Sequence, residues 1–440
     1  MLDRRVLVAR LLGLAPAAAA YRVAFSGGRD STALLHALAE VRDRLPAPLA
    51  AVHIDHGLHP ESARWAEACE SVCERLGVGL ECRRVVVPPS AGQGLEAAAR
   101  EARYRAFGEL LAAGDCLVLA HHADDQAETF LLRALRGGGL HGLCAMPAWR
   151  PLGRGRLVRP LLEVPRTALT AYLQSRSLDW IEDPANRDPA HDRVYLRERV
   201  LPVLAARWPD ATGHLQSAVA SLQADQALLG GYLDRDLATA RAADGRPAVA
   251  ELRRLMPYQR QAVVRHWLVC SGYRPPPGRR LAAGVQALIE SGPDAQPELR
   301  WTDGCIRRYR GRLYLLAAVP PPADPEPRPQ AWAGQGRLIL AGGALSAQWS
   351  PAGIDPERLA HGVTVVFRSG VLEVAARRRL QRLYQRLGVP PWERDRVPLL
   401  FAGSRPVAVA GYGIAPGERA RPGLRIVWQP SRPAAQSPSN

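Results

Sequence analysis

The stretch Tyr21–Thr32, YRVAFSGGRDST, constrains the fold most: an apolar run of strand character ends in Ser-Gly-Gly and passes straight into a helix start. Two adjacent glycines let the backbone turn tightly and approach a ligand with no side chain in the way. The amides opening the next helix lack intrahelical partners and face that ligand, with the helix dipole favouring negative charge. Ser26, Ser31 and Thr32 add hydroxyl donors, so Ser26, Gly27, Gly28, Arg29, Asp30, Ser31 and Thr32 form a candidate phosphate cradle. Asp30 would repel phosphate by itself, which assigns it to holding Mg2+ against the phosphates. A Walker loop needs a lysine and four spacer residues, and a dinucleotide fingerprint needs three spaced glycines; neither is present.

Beyond Thr32 the chain alternates between short apolar runs and helical periodicity. Strands are expected at Arg22–Phe25, Leu49–Ile54, Glu81–Val87 and Cys116–Ala120, and helices near Ser31–Val41, Pro60–Leu76 and Leu95–Ala112. In the second helix Ala66, Cys69, Cys73 and Leu76 share one face, and Pro60 suits its first turn. Such alternation predicts an α/β fold with a doubly wound parallel sheet, Rossmann-like, whose ligands bind beyond the strand C-termini. Further helices are expected at Asp124–Leu135 and Leu161–Gln174, and 195–312 reads as mostly helical. The Pro-rich run Val319–Gln330 marks a linker. Beyond it lie strand-like pieces at Arg337–Leu340 and Val363–Phe367, an arginine-dense helix at 375–387, and apolar runs near 398 and 407. The division is thus 1–200, an α/β catalytic domain; 201–318, mainly helical; 319–330, linker; 331–430, a small α+β C-terminal domain; and 431–440, a disordered tail.

Charge narrows the partner. The chain has 440 residues and a net charge of +16, and its 58 basic residues are all arginine. An excess of that size suits a polyanion, and arginine suits bidentate phosphate contacts. Seven cysteines without a CxxC pair read as reduced thiols in a cytoplasmic protein. The N-terminus faintly resembles a signal peptide, but Arg10 interrupts its apolar run and a strand comes directly after it, so a short amphipathic helix is expected. No run is long enough to span a membrane.

Other polar residues gather where the parallel sheet would bind ligands. His53 reads as a strand residue packed or paired locally, whereas Asp55 and His56 fall just past the strand end. His121-His122 precedes Asp124-Asp125, but a transition-metal site needs about four converging ligands, and no cysteine joins these. His122, if protonated, would neutralise charge on a bound phosphate. Asp125 and Glu128 share a helix face, a spacing that a solvated surface explains equally. Arg100, Arg103 and Arg105 occupy one helical stretch, and Arg133 and Arg136 flank the glycines at 137–139, placed to grip an RNA backbone. Arg378, Arg382 and Arg386 form an i,i+4 row opposite Leu380, Leu383, Tyr384 and Leu387.

SGGRDS resembles the signature of the PP-loop pyrophosphatases, which split ATP between the α and β phosphates. HIDHGL (53–58), GLEAAAREARY (94–104), LAHHADDQAETFLLRALRGGGLHGLCAM (119–146) and RPLLEVPRTALTAYLQSRSLDWIEDPAN (159–186) resemble, in order, blocks of the tRNA(Ile)-lysidine synthase family. The likeness is strong over about the first 200 residues and loose near 363–413, where LQRLYQRLGVPPWERDRVPLLF is the recognisable part. It implies an ATP-dependent ligase with Mg2+ that adenylates C2 of the wobble cytidine of tRNA(Ile) with a CAU anticodon. Free L-lysine then displaces AMP. It further implies Asp55 in metal or nucleotide orientation, His56 in phosphate or base contact, and Arg103 on the adenylate or the pyrophosphate. Asp125 and Glu128 would cradle the lysine. Arg133, Arg136, Arg197, Arg368, Arg378, Arg382 and Arg386 would hold tRNA, through the 201–318 and 331–430 domains as well as the first. The oligomeric state stays open, a homodimer among the options.

The chain departs from the family in three places. Arg29 stands where a lysine is usual, VYLRERV (194–200) lacks the usual Arg-Asn pair, and the C-terminal basic signature is reduced to FRSGVLE. Rival readings are a PP-loop tRNA 2-thiolase, an amide-forming relative, and a non-catalytic nucleotide- or RNA-binding module. The thiolase needs a sulfur carrier, which the cysteine spacing does not offer.

Overall fold

Four apolar runs build the centre of a sheet: β1 (Tyr21–Ala24), β2 (Leu49–Asp55), β3 (Gly79–Arg84) and β4 (Cys116–Val118). Between and around them pack α1 (Arg4–Leu14), α2 (Arg29–Ala39), α3 (Ser62–Leu76), α4 (Leu95–Leu110), α5 (Ala123–Leu135), the short α6 (Leu140–Leu143) and α7 (Arg166–Gln174). This computed structural model describes residues 2–87, 95–183, 188, 190–292, 295–317, 329–340, 342–370 and 374–430. Most of the Pro-rich run at 319–330 and the tail at 431–440 therefore lie outside the described residues. The chain divides into two units, one ending at Tyr232 and the other beginning at Leu233.

In the first unit the strand order is β3-β2-β1-β4-β6-β5, where β5 (Trp149–Leu152) and β6 (Gly155–Val158) form a hairpin that the sequence pattern did not announce. WRPLGRGRLV is short and broken by proline, glycine and arginine, so its period-two signal is weak. All neighbours are parallel except β5 with β6. Alternate residues serve opposite faces. Ala51, Cys116, Val118 and Val158 pack with Leu34, Leu35 and Leu38 of α2, Leu7 and Leu11 of α1, and Tyr172 of α7. Val52, Leu117, Leu119 and Leu157 meet Tyr104, Phe107 and Leu111 on the other side. Each such buried side chain contributes about 1.5–3 kcal/mol, so α2 and the turn before it are held firmly on the sheet. The strand order reverses between β1 and β4, and the crevice there, beyond the strand C-termini, is the ligand position of doubly wound sheets.

The expected helices appear with two trimmed starts. Pro165 caps the start of α7, so Leu161–Val164 stay outside it, and α3 begins at Ser62, leaving Pro60 outside. His53 is buried with Nδ1 2.9 Å from the carbonyl of Phe25, a local pairing as expected. Cys69 and Cys73 fill the buried face of α3, and no helix among the described residues is long and apolar enough to cross a membrane.

The second unit is helical through Glu290, with Pro257–Cys270 and Gly278–Glu290 as its main helices. His266 of the former accepts or donates one hydrogen bond with Asp234 at 2.7 Å. The expected helix up to 312 is corrected: β7 (Glu298–Arg300), β8 (Gly304–Tyr309) and β9 (Arg312–Ala317) make an antiparallel sheet. Arg310 and Gly311 both have positive φ, a two-residue hairpin turn without the usual Asn-Gly label. After the linker come two five-stranded sheets and the expected arginine-dense helix, Val374–Leu387.

The turn after β1 is strapped by Ile181, whose amide bonds to Gly27 O at 2.9 Å. Gly27 has φ +76°, and a Cβ there would stand 2.4 Å from Ile181 Cδ1 and 3.0 Å from Cys69 Sγ. Gly57 has φ +62° but open space around it. Gly27→Ala should therefore cost about 2–4 kcal/mol by urea denaturation, against about 1–2 kcal/mol for Gly57→Ala. Equal losses would show that the strap does not crowd the turn.

Candidate active site

The Ser26–Thr32 loop is shaped by its own hydroxyls. Ser31 Oγ donates to Gly28 O at 2.9 Å and lies 3.1 Å from Ser26 Oγ. Thr32 Oγ1 is buried and donates to the carbonyls of Gly27 and Gly28, at 3.1 and 3.0 Å. This corrects the expectation that Thr32 offers its hydroxyl to a ligand: it closes the loop from beneath. Ser26 is exposed. The first intrahelical bond of α2 runs from Thr32 N to Gly28 O, so the amides of Arg29, Asp30 and Ser31 precede it and have no partner in the helix.

A buried imidazole sits against this loop. His122 is 1% exposed, with Nε2 3.5 Å from both Asp30 Oδ2 and Asp125 Oδ2 and Nδ1 3.6 Å from Asp124 Oδ2. Burial disfavours its charged form, but Asp125, Asp124 and Asp30 together outweigh that and push its pKa up to about 10. His122 is therefore an imidazolium. Burial pushes the Asp30 carboxyl up, but His122 and the adjacent Arg29, whose Nε lies 3.1 Å away, hold it well below the usual carboxylate range. His121 goes the other way: burial pushes its pKa down to about 3, and its Nδ1 accepts from Arg159 Nε at 3.3 Å.

The predicted carboxylate pair lies one turn further along α5, and both members are buried. Asp125 Oδ2 accepts the amide of His122 at 3.0 Å, and Asp124 Oδ2 accepts the amide of Arg166 at 2.9 Å, which joins the start of α5 to the start of α7. Glu128 is fully buried, and its Oε1 accepts Arg197 Nε at 2.7 Å. Among the described residues its Oε2 has no partner. Burial raises the Glu128 pKa in spite of Arg197. These contacts rule out a solvated helix surface for Asp125 and Glu128.

Several expectations are corrected by what the side chains touch. Asp55 has both oxygens engaged, accepting Gly57 N and Arg84 Nε, each at 2.8 Å; it shapes the turn after β2 and ties it to β3. Arg197 was expected on RNA, yet its guanidinium serves Glu128 and lies 3.8 Å from Asp125 Oδ1. Arg133 is spent on the carbonyls of Gly142 and Ala145, at 3.0 and 2.6 Å, where it braces the turn after α5. His56 stands at the same sheet edge as expected, with its pKa lowered by burial and by Arg103. Arg136 and Arg368 are exposed, paired with Asp192 and Asp395 at 2.7 and 3.1 Å. Arg378, Arg382 and Arg386 are all exposed, above buried Leu380, Leu383 and Tyr384. The Gly94 and Asn186 ends of two family-like blocks lie outside the described residues.

Two residues of the site escaped sequence reasoning. Arg159 comes directly after β6, is buried, and donates to Pro147 O at 2.8 Å as well as to His121. Arg166 opens α7 with its side-chain Nε buried. A basic residue at the first position of a helix opposes the dipole, and that misfit was the available signal.

Comparison with known sequences bears on this geometry. A family profile described as a PP-loop domain matches residues 8–204, one described as a TilS substrate binding domain matches 248–314, and one described as a TilS substrate C-terminal domain matches 364–428. The tRNA(Ile)-lysidine synthase of Alkalilimnicola ehrlichii is 45% identical over 97% of this chain and 97% of its own length. The chain belongs to the tRNA(Ile)-lysidine synthase family. Relatives of the same name from Methylococcus capsulatus and Pseudomonas aeruginosa are 42% and 41% identical, covering 89% and 96% of this chain and 91% and 97% of their own. Family membership bears out the PP-loop reading of SGGRDST and the resemblance of the four ordered blocks. It also brings the loosely matched C-terminal segment within the family's pattern, despite its reduced basic signature.

The raised pKa of His122 has a direct consequence for stability. A group whose pKa is higher folded than unfolded stabilises fully below its ordinary value, about 6.5, and loses that contribution as pH rises through its folded value. The stability difference between wild type and His122→Gln should be greatest near pH 6, on the order of 3–5 kcal/mol as for other broken buried pairs. It should shrink steadily toward pH 10. A difference that stays flat in urea titrations across this range would contradict a buried imidazolium.

Proposed function

We propose that the protein ligates free L-lysine to C2 of the wobble cytidine of tRNA(Ile) with a CAU anticodon, in the cytoplasm and at the expense of ATP. The product, lysidine, changes codon reading from AUG to AUA. In the first step the C2 oxygen of the base attacks the α-phosphorus of ATP and pyrophosphate leaves. In the second the ε-amine of lysine attacks C2, and the C2–O bond breaks to release AMP. Anticodon bases are single-stranded and can be presented without melting a duplex.

The first turn of α2 supports the nucleotide half of this reading. The amides of Arg29, Asp30 and Ser31 supply donors for a phosphate, and the His122 imidazolium behind them offsets charge on the departing pyrophosphate. Asp30 fits Mg2+: it is a half-buried carboxylate held ionised at a phosphate-facing turn, and Mg2+ takes one or two carboxylates plus substrate phosphates. When bound, that ion would neutralise triphosphate charge.

The observation that carries the lysine half is Glu128 Oε2, a buried acceptor without a partner one turn from Asp125. Such an oxygen suits an ammonium group. Burial raises the pKa of Glu128, which makes it the better of the two carboxylates to take the proton that the attacking amine must lose. The thiolase alternative needs a reactive thiolate, whereas burial raises all seven cysteine thiols, Cys69 and Cys116 to about 12. The parts at 201–318 and 331–430 would supply tRNA recognition by shape and charge.

Labelled lysine, ATP-Mg2+ and unmodified tRNA(Ile) carrying CAU provide the test. Label should enter the wobble base with release of AMP; label at the 3′ end alone, or sulfur incorporation instead, overturns the proposal. Within that assay, Asp30→Ala should abolish pyrophosphate release while tRNA affinity stays within about twofold. Glu128→Gln should slow lysine transfer on the order of 10²-fold or more while pyrophosphate release persists. Neutralising Arg378, Arg382 and Arg386 together should reduce the slope of log K for tRNA against log salt by about 2–3. An unchanged slope would take the Val374–Leu387 helix off the RNA.

A further inference from the structure

Arg166 is held where a cation is least at ease. Arg166 is half-buried, and its Nε is fully buried with no partner among the described residues. It occupies the first position of α7, where the helix dipole already presents positive charge. Burial, Arg197 and Arg29 all lower its pKa, against the opposite pull of Asp30 and Glu128. The backbone gives it no escape. Its amide is tied to Asp124 Oδ2 at 2.9 Å, its carbonyl accepts Thr170 Oγ1 at 3.2 Å, and Leu169, Tyr172 and Leu173 anchor the helix in the core.

Unpartnered buried donors in a folded protein call for a missing partner, and for a guanidinium among other arginines that partner is an oxyanion. The contacts of its backbone say where it would sit: Asp124, which holds its amide, lies 3.6 Å from His122 Nδ1, and His122 Nε2 lies 3.5 Å from both Asp30 of the glycine loop and Asp125 of the carboxylate pocket. We propose that Arg166 is an oxyanion subsite bridging the loop and the Asp125–Glu128 pocket, ready to take a phosphate or a carboxylate of a bound substrate. This rests on the function proposed above, in which two substrates offer such a group: the triphosphate of ATP and the α-carboxylate of lysine. Either would give the guanidinium a directly bonded anionic partner.

The test uses the full-length protein as wild type, Arg166→Gln and Arg166→Lys. Pyrophosphate, lysine and cadaverine (lysine without its carboxylate) are titrated separately by calorimetry, and Tm is recorded without ligand. Arg166→Gln should fold with a Tm at or above wild type, because the buried Nε it lacks had no partner. A loss of pyrophosphate affinity of tenfold or more assigns the subsite to phosphate. A tenfold loss for lysine with none for cadaverine assigns it to carboxylate, and Arg166→Lys should recover part of either loss. Unchanged affinity for both oxyanions overturns the inference, as does wild type that binds neither. A Tm lowered by about 2–4 °C or more in Arg166→Gln also overturns it, since that marks a structural guanidinium. Lysine transfer to tRNA by wild type is scored separately. If transfer occurs while Arg166→Gln binds both probes normally, the subsite falls and the function stands. If transfer is absent but binding depends on Arg166, the oxyanion subsite stands without that function.

Discussion

The charge on His122 holds the site together. One imidazolium, out of contact with water, is shared by Asp30 in the first turn of α2 and by Asp124 and Asp125 in the first turn of α5. Asp124 in turn holds the first amide of α7. Three helix N-termini are thereby brought to one place, each with its positive dipole end toward it. Without a proton on His122, Asp30, Asp124 and Asp125 would repel one another in a poorly solvated pocket.

That arrangement sets the division of labour within the pocket. Donors dominate toward the glycine loop, where the amides of Arg29, Asp30 and Ser31 have no partner in the helix and Arg29 pairs with Asp30. One acceptor, Glu128 Oε2, waits on α5. A site that keeps both an unsatisfied acceptor and an unsatisfied guanidinium nitrogen on rigid helices carries a cost in stability, as preorganised sites generally do. The sheet beneath absorbs it, because α2 and α7 are anchored by fully buried leucines and Tyr172 on one face. The arginines proposed to meet RNA obey a different rule. Arg378, Arg382 and Arg386 stand exposed on an otherwise well-packed helix, where a phosphate can replace water at little cost.

Much of this was legible in the residues alone. Strand–helix alternation through 120 predicted the parallel sheet because two-faced burial leaves a distinct apolar run, and Ser26–Ser31 announced its turn because only glycine accepts that backbone. The β5–β6 hairpin and the β7–β9 sheet were missed. Both are short and turn through residues other than Asn-Gly, so local pattern could not separate them from loop or helix. Among site residues, the arginines misled most. Arg133 and Arg197 look interchangeable with Arg136 in the sequence, yet one braces carbonyls, one covers a buried carboxylate and one meets solvent.

Chain order by itself determined the phosphate turn, the carboxylates on α5 and the basic surplus, since glycine tolerance, helical spacing and net charge are local or additive properties. Only the tertiary structure decided the protonation of His122, the engagement of Asp55 and Thr32, and the isolation of Arg166 Nε and Glu128 Oε2. Those depend on which groups from distant segments share a desolvated space, and electrostatics there is set by neighbours that the sequence does not place side by side.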